Sequence, residues 1–163
     1  MNLQTLSFTQ QPLTISVFDI PQGVYNYMKW DISMKCIETE GLIGDRDESY
    51  PCVGIVISGN YNSSDGSVIP FIFAIDEPEQ FSVISSDPDG NSSIVLSVKK
   101  EYEATVYFAP ERAFSAISRE SFEEAEISGD SEHPKIIISS SSNQDIYEIL
   151  LYRIFLSASV IVK

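Results

Sequence analysis

A chain of 163 residues is long enough for one ordinary domain with a self-sufficient core, and nine Phe, eight Tyr and one Trp within a 43% hydrophobic composition supply material for it. Ten basic residues against 24 acidic ones leave a formal charge of −14, which repels phosphate backbones and anionic lipid headgroups and argues against nucleic acid and membrane surfaces as partners. A basic protein surface, a cation or a neutral ligand such as a sugar remains compatible with that field.

The N-terminal run MNLQTLSFTQQP has neither a basic n-region nor an apolar h-region, so synthesis and retention in the cytoplasm are expected. Residues 3–8 read as a short edge strand. Residues 13–20 read as a second strand, with Leu13, Ile15 and Val17 on one side, closed by a turn at Pro21 and Gly23. The clearest signal is residues 28–36. Met28, Trp30, Ile32, Met34 and Cys36 alternate with Lys29, Asp31, Ser33 and Lys35, which predicts a strand with one buried face, beginning as early as Val24. Tyr25 and Tyr27 then fall on the face opposite Trp30 and would be exposed.

A charged loop follows over 37–51. Beyond it, 52–58 is expected to pair with the preceding strand in one of two registers. Setting Cys36 opposite Cys52 would turn Val53, Ile55 and Ile57 away from the Trp30 face, whereas a one-residue slip joins the two apolar faces. The second is preferred and leaves two free thiols, as in a reducing compartment. A turn at 59–67 leads to 68–75, nearly continuous in apolar residues and so a central strand, in which Pro70 marks an edge or bulge. Short strands at 81–85 and 92–100 flank the turn SDPDGN, and 103–109 is expected to form a hairpin with 92–100.

The period changes only at 110–126, where Phe114, Ile117, Ser121, Phe122 and Ala125 share one side at helical spacing and Pro110 suits a first helical position. Residues 135–139 return to a strand. Residues 146–162 finish as one long strand or two shorter ones; Glu148, Arg153, Ser157 and Ser159 interrupt the segment, which falls short of a membrane span. The expected architecture is an all-β, antiparallel two-sheet sandwich or jelly roll of about eight to ten strands with one short helix near 111–126, in a single domain over 1–163.

Chemistry-bearing residues are sparse. His133 is the only histidine and sits in a polar linker, which leaves no histidine pair for a metal and no triad. Cys36 ends an apolar strand without an electropositive setting. Asp87, Asp89 and Asn91 alternate as a calcium loop requires, but Gly90 comes too early for the glycine of an EF-hand and Val98 stands at the twelfth position, so a turn held by Asx hydrogen bonds is the better reading. AIDEPE at 74–79 resembles the acidic strand motif of the concanavalin-like glycosidases, yet it lacks the first glutamate, the nucleophile of that family. No catalytic, cofactor or metal residue is therefore assigned.

The expectation that follows is a non-enzymatic structural or assembly protein. By analogy of composition and fold class, it would be an accessory part of a viral particle such as a phage capsid decoration or tail connector. Its partners would be proteins, other assembly subunits or further copies of itself, with no nucleic acid, membrane or cofactor. Tyr25 and Tyr27 are assigned to an interface, and Ile154, Phe155, Leu156, Val160 and Ile161 to docking of the C-terminal strand. The alternative is a carbohydrate-binding module, with calcium held by the acidic loops and Tyr25, Tyr27 and Tyr50 or Tyr61 stacked on sugar rings.

Overall fold

The structure is a computed structural model and describes residues 17, 19–35 and 54–163. The strands expected over 3–8 and most of 13–20, the charged loop, Tyr50 and both cysteines lie outside the described residues. Those residues contain β1 (Gly23–Tyr25), β2 (Lys29–Met34), β3 (Ile55–Asn62), β4 (Val68–Ile75), β5 (Glu79–Ser86), β6 (Ile94–Leu96) and β7 (Ala104–Tyr107). Helices α1 (Pro110–Phe114) and α2 (Arg119–Glu123) follow, then β8 (Ile127–Ser128), β9 (Lys135–Ile138), α3 (Gln144–Ser157) and β10 (Ser159–Val162).

The chain divides into two compact units. One takes Val83–Tyr107, Ser159–Lys163 and the chain up to Trp30; the other takes Asp31–Ser82 and Phe108–Ala158. In the first, β1 pairs antiparallel with β6, Val24 opposite Val95. Strand β10 runs parallel to the end of β5, with Val160 opposite Ser85, and antiparallel to β7, with Val160 opposite Val106. Ile94, Leu96 and Val162 are buried there, with Ile20, Tyr25, Met28 and Trp30 packed on them. Ser85 is the one buried polar residue in this unit's described part; its N–H and hydroxyl both donate to the Met28 carbonyl, at 2.9 and 3.2 Å, so its burial costs little.

The second unit is built on a four-stranded sheet in the order β3-β4-β9-β8. Strand β4 lies antiparallel to β3, Ile57 opposite Phe73, and parallel to β9, Ile72 opposite Ile137. Period-2 alternation sends Phe71, Phe73 and Ile75 of β4, Ile55 and Ile57 of β3 and Ile136 and Ile138 of β9 into one core with Ala113 of α1 and Ile146, Tyr147, Leu150 and Ile154 of α3. Burial of each such side chain stabilises the unit by roughly 1.5–3 kcal/mol. Pro70 is tolerated in this central strand because β9 reaches only Phe71–Phe73, so no neighbour calls on the missing N–H.

Three expectations are corrected. The all-β sandwich gives way to a mixed α/β architecture with three helices among the described residues, because 146–162 is not strand throughout. Its first part is α3, with Ile146, Tyr147, Leu150 and Ile154 buried at helical spacing, and only the last four residues before Lys163 form β10. The hairpin of 92–100 with 103–109 does not form: β6 pairs with β1 and β7 with β10. Val98, within the strand expected over 92–100, is exposed outside any strand. The expected pairing of 28–36 with 52–58 is not found among the described residues, where β2 and β3 belong to different sheets.

The helix expected over 110–126 is present as two pieces. Pro110 opens α1 at its first turn, and the Ser118 hydroxyl caps α2 by accepting from the Ser121 N–H at 3.0 Å. Phe114, Ile117, Phe122 and Ala125 all pack on the core, as their spacing predicts. The strand at 28–36 is found as β2 with Trp30, Ile32 and Met34 half-buried and the odd positions exposed. It does not extend back to Val24. The break between β1 and β2 brings Tyr25 into the cluster that also takes Trp30.

Candidate protein-binding surface

Helix α3 is the only long helix among the described residues, and its packing explains which groups it leaves outside. The chain enters it from β9 through Asn143, held in the left-handed region at φ 50°. The Asn143 side chain fixes that entry: its Nδ2 donates to the carbonyls of Ile137 at 2.7 Å and Glu126 at 3.1 Å, and its Oδ1 accepts from the Glu126 N–H at 2.7 Å. Nearby, Asp76 at the end of β4 accepts from the N–H and hydroxyl of Ser140, which ties down the loop between β9 and the helix. The helix is thus set rigidly on the sheet with one side inward.

Its outward side carries Gln144, Asp145, Glu148 and Arg153, with three large apolar residues among them. Ile149, Tyr152 and Leu156 are 44, 65 and 66% exposed and follow one another at three- and four-residue spacing, so they form one stripe. Asp145 precedes the stripe and Arg153 flanks it.

Beside the C-terminal half of the stripe, Arg112 of α1 joins Arg153, Leu156 and Ser157 around a groove of about 190 Å³. That is below the roughly 300–1,000 Å³ of typical small-molecule sites, so the groove suits a side chain better than a ligand. Among the described residues neither arginine has a carboxylate partner, while Arg119 is held by Glu123 with Nε to Oε1 at 3.4 Å.

The remaining polar clusters are engaged in holding the fold. Glu123 accepts from the Tyr61 hydroxyl at 2.8 Å, the Ser64 N–H at 2.8 Å and the Ser63 hydroxyl at 3.1 Å, which with the stacking of Tyr61 on Phe122 pins α2 to the β3–β4 hairpin. Those bonds, that from Tyr61 first, hold its carboxyl down at about 2. Asp87 accepts from the N–H groups of Asp89 and Asn91 and from the Asn91 side chain, the Asx turn that its sequence implies. Asp130 does the same for Glu132 and His133, and His133 lies exposed in that turn with Nδ1 3.2 Å from Asp130 Oδ1. Buried Tyr147, whose hydroxyl has no partner, is pushed well up by desolvation and by Asp76, Glu79 and Glu77. Among the described residues no three His, Cys, Asp or Glu side chains converge as a metal would need.

The residues assigned to an interface from sequence divide sharply. Tyr27 is exposed, as is Leu156. Tyr25 is half-buried and donates its hydroxyl to the Pro21 carbonyl at 2.7 Å. Ile154 and Val160 are core residues, Phe155 is half-buried and stacks on Phe81 with ring centroids 4.6 Å apart, and Ile161 is half-buried. Sequence reading missed Ile149, Tyr152, Arg153 and Arg112. The signal for the first two was available in the spacing 149, 152, 156, once the segment is taken as helix.

No family model matches the chain, no curated protein matches it, and no solved structure matches it. The expectation of a viral-particle component rested on an all-β sandwich and on analogy; the mixed α/β architecture removes the first, and the comparisons offer nothing for the second. Of the tyrosines considered for sugar, Tyr25 donates to Pro21, and Tyr61 stacks on Phe122 and donates to Glu123. No helix among the described residues is long and apolar enough to cross a membrane.

Proposed function

We propose that the chain is a protein-binding module that acts through the outward face of α3 and not by catalysis. The observation that carries this reading is the exposed stripe Ile149, Tyr152 and Leu156 on a helix whose opposite side is already core. Tyr152 and the neighbouring arginines are the residue types that dominate binding energy at protein interfaces, and the stripe gives them an apolar setting. The carboxyls of Asp87, Asp130 and Glu123 are held down by hydrogen bonds that fix turns and the contact of α2 with the β3–β4 hairpin, while that of Glu79 is raised by burial and by the Glu77 charge.

Affinity capture from cells that make the protein tests this, with the full chain and its Leu156→Glu variant as paired baits. The variant should match the wild type in circular dichroism and melting temperature, because position 156 is exposed. A protein, this chain included, is expected with the wild-type bait and not with the variant. Identical recovery by both baits would contradict the reading.

A further inference from the structure

We infer that the protein on this face is a second copy of the same chain, docked through antiparallel contact of α3 with α3 about a two-fold axis passing between Ile149 and Tyr152. The inference rests on the reading of the α3 face as a protein-binding surface and specifies its occupant. The outward face carries Asp145 and Glu148 in its N-terminal half and Arg153 in its C-terminal half, with Arg112 of α1 beside it. Reversal about the chosen axis sets 149 opposite 152 and 145 opposite 156. The Asp145 carboxylate of each copy then lies over the groove formed by Arg112, Arg153, Leu156 and Ser157 of the other.

Three arguments favour this arrangement. It pairs groups that have no partner within one copy, since no ion pair among the described residues uses Asp145, Arg112 or Arg153. It is isologous, so one complementary contact is made twice. It also sets helix N-termini beside C-termini, whereas parallel pairing would stack Asp145 on Asp145 and arginine on arginine. From 145 to 156 the contact runs only about 17 Å along the helix at 1.5 Å per residue. The area is at the low end for protein interfaces, so the dimer is weak, with a dissociation constant on the order of 10 μM.

Sedimentation equilibrium of the full chain from about 5 to 500 μM, at roughly physiological salt so that mutual repulsion is screened, tests the pairing. Wild type should pass from monomer to dimer. Asp145→Arg with Glu148→Arg, and Arg112→Asp with Arg153→Asp, should each weaken self-association at least about tenfold. An equimolar mixture of those two variants should recover it, because each unlike pair restores carboxylate against guanidinium at both ends. A wild type that stays monomeric throughout, or a mixture that fails to recover, overturns the inference. If the wild type is monomeric but a different protein is captured in a Leu156-dependent way, self-pairing alone falls. If no Leu156-dependent protein is captured either, the reading of the face falls with it.

Discussion

Single residues hold α2 and the β3–β4 hairpin together, and two of them give direct tests. Glu123 titrates at about 2 in the folded chain against an ordinary 4.5, so its bonds to Tyr61, Ser63 and Ser64 contribute fully above about pH 4.5 and are lost as pH falls through about 2. Glu123→Gln is expected to lower the melting temperature at neutral pH and to flatten its fall between pH 4.5 and 2, read from thermal melts across that window. Gly59 lies opposite Phe71 in the β3–β4 register, and a Cβ there would come within 2.7 Å of the Phe71 ring, which is itself packed against Phe114 and Phe122. Gly59→Ala should therefore destabilise by about 1–3 kcal/mol in urea titration. An unchanged midpoint would show that the ring moves aside freely.

Helix α3 decides how much of the architecture was legible. Where one face is buried and the other polar, as in β2, alternation alone identified the element and its inward side chains. The inward set of 110–126 was legible for the same reason, although Ser115–Ser118 interrupts the helix there. In 146–157 the apolar residues run nearly all round, so neither period stands out and a strand reading competes with a helical one. Pairing was less legible still. The partners of β6, β7 and β10 are fixed by which faces become buried, and nothing local to 92–109 distinguishes a hairpin from two strands that part. The docking face was hidden by the same ambiguity, since Ile154 and Leu156 share a side in a strand and separate in a helix, one buried and one exposed. The helical assignment has a sharp consequence: Leu150→Ala, at a fully buried position, should cost about 2–5 kcal/mol. Leu156→Ala should stay within roughly 0.5 kcal/mol. Equal costs at the two positions would contradict the orientation of α3.

At the scale of the whole molecule, a charge of −14 has two effects. It opposes compaction, so raising sodium chloride from about 20 to 300 mM should raise the melting temperature by a few degrees in calorimetry, and a fall would mean that specific ion pairs outweigh the net repulsion. It also leaves Arg112 and Arg153 as a basic pair at the C-terminal end of α3 in a chain of strongly acidic balance. The central claim is that the outward face of α3 is where this chain meets protein. The most direct measurement places a photoreactive phenylalanine derivative at Tyr152 and, as a control, at Val95, which is equally exposed on β6. On irradiation in cells that make the protein, position 152 is expected to give a discrete covalent adduct and position 95 none. The same yield at both positions, or no adduct at 152, would contradict the claim.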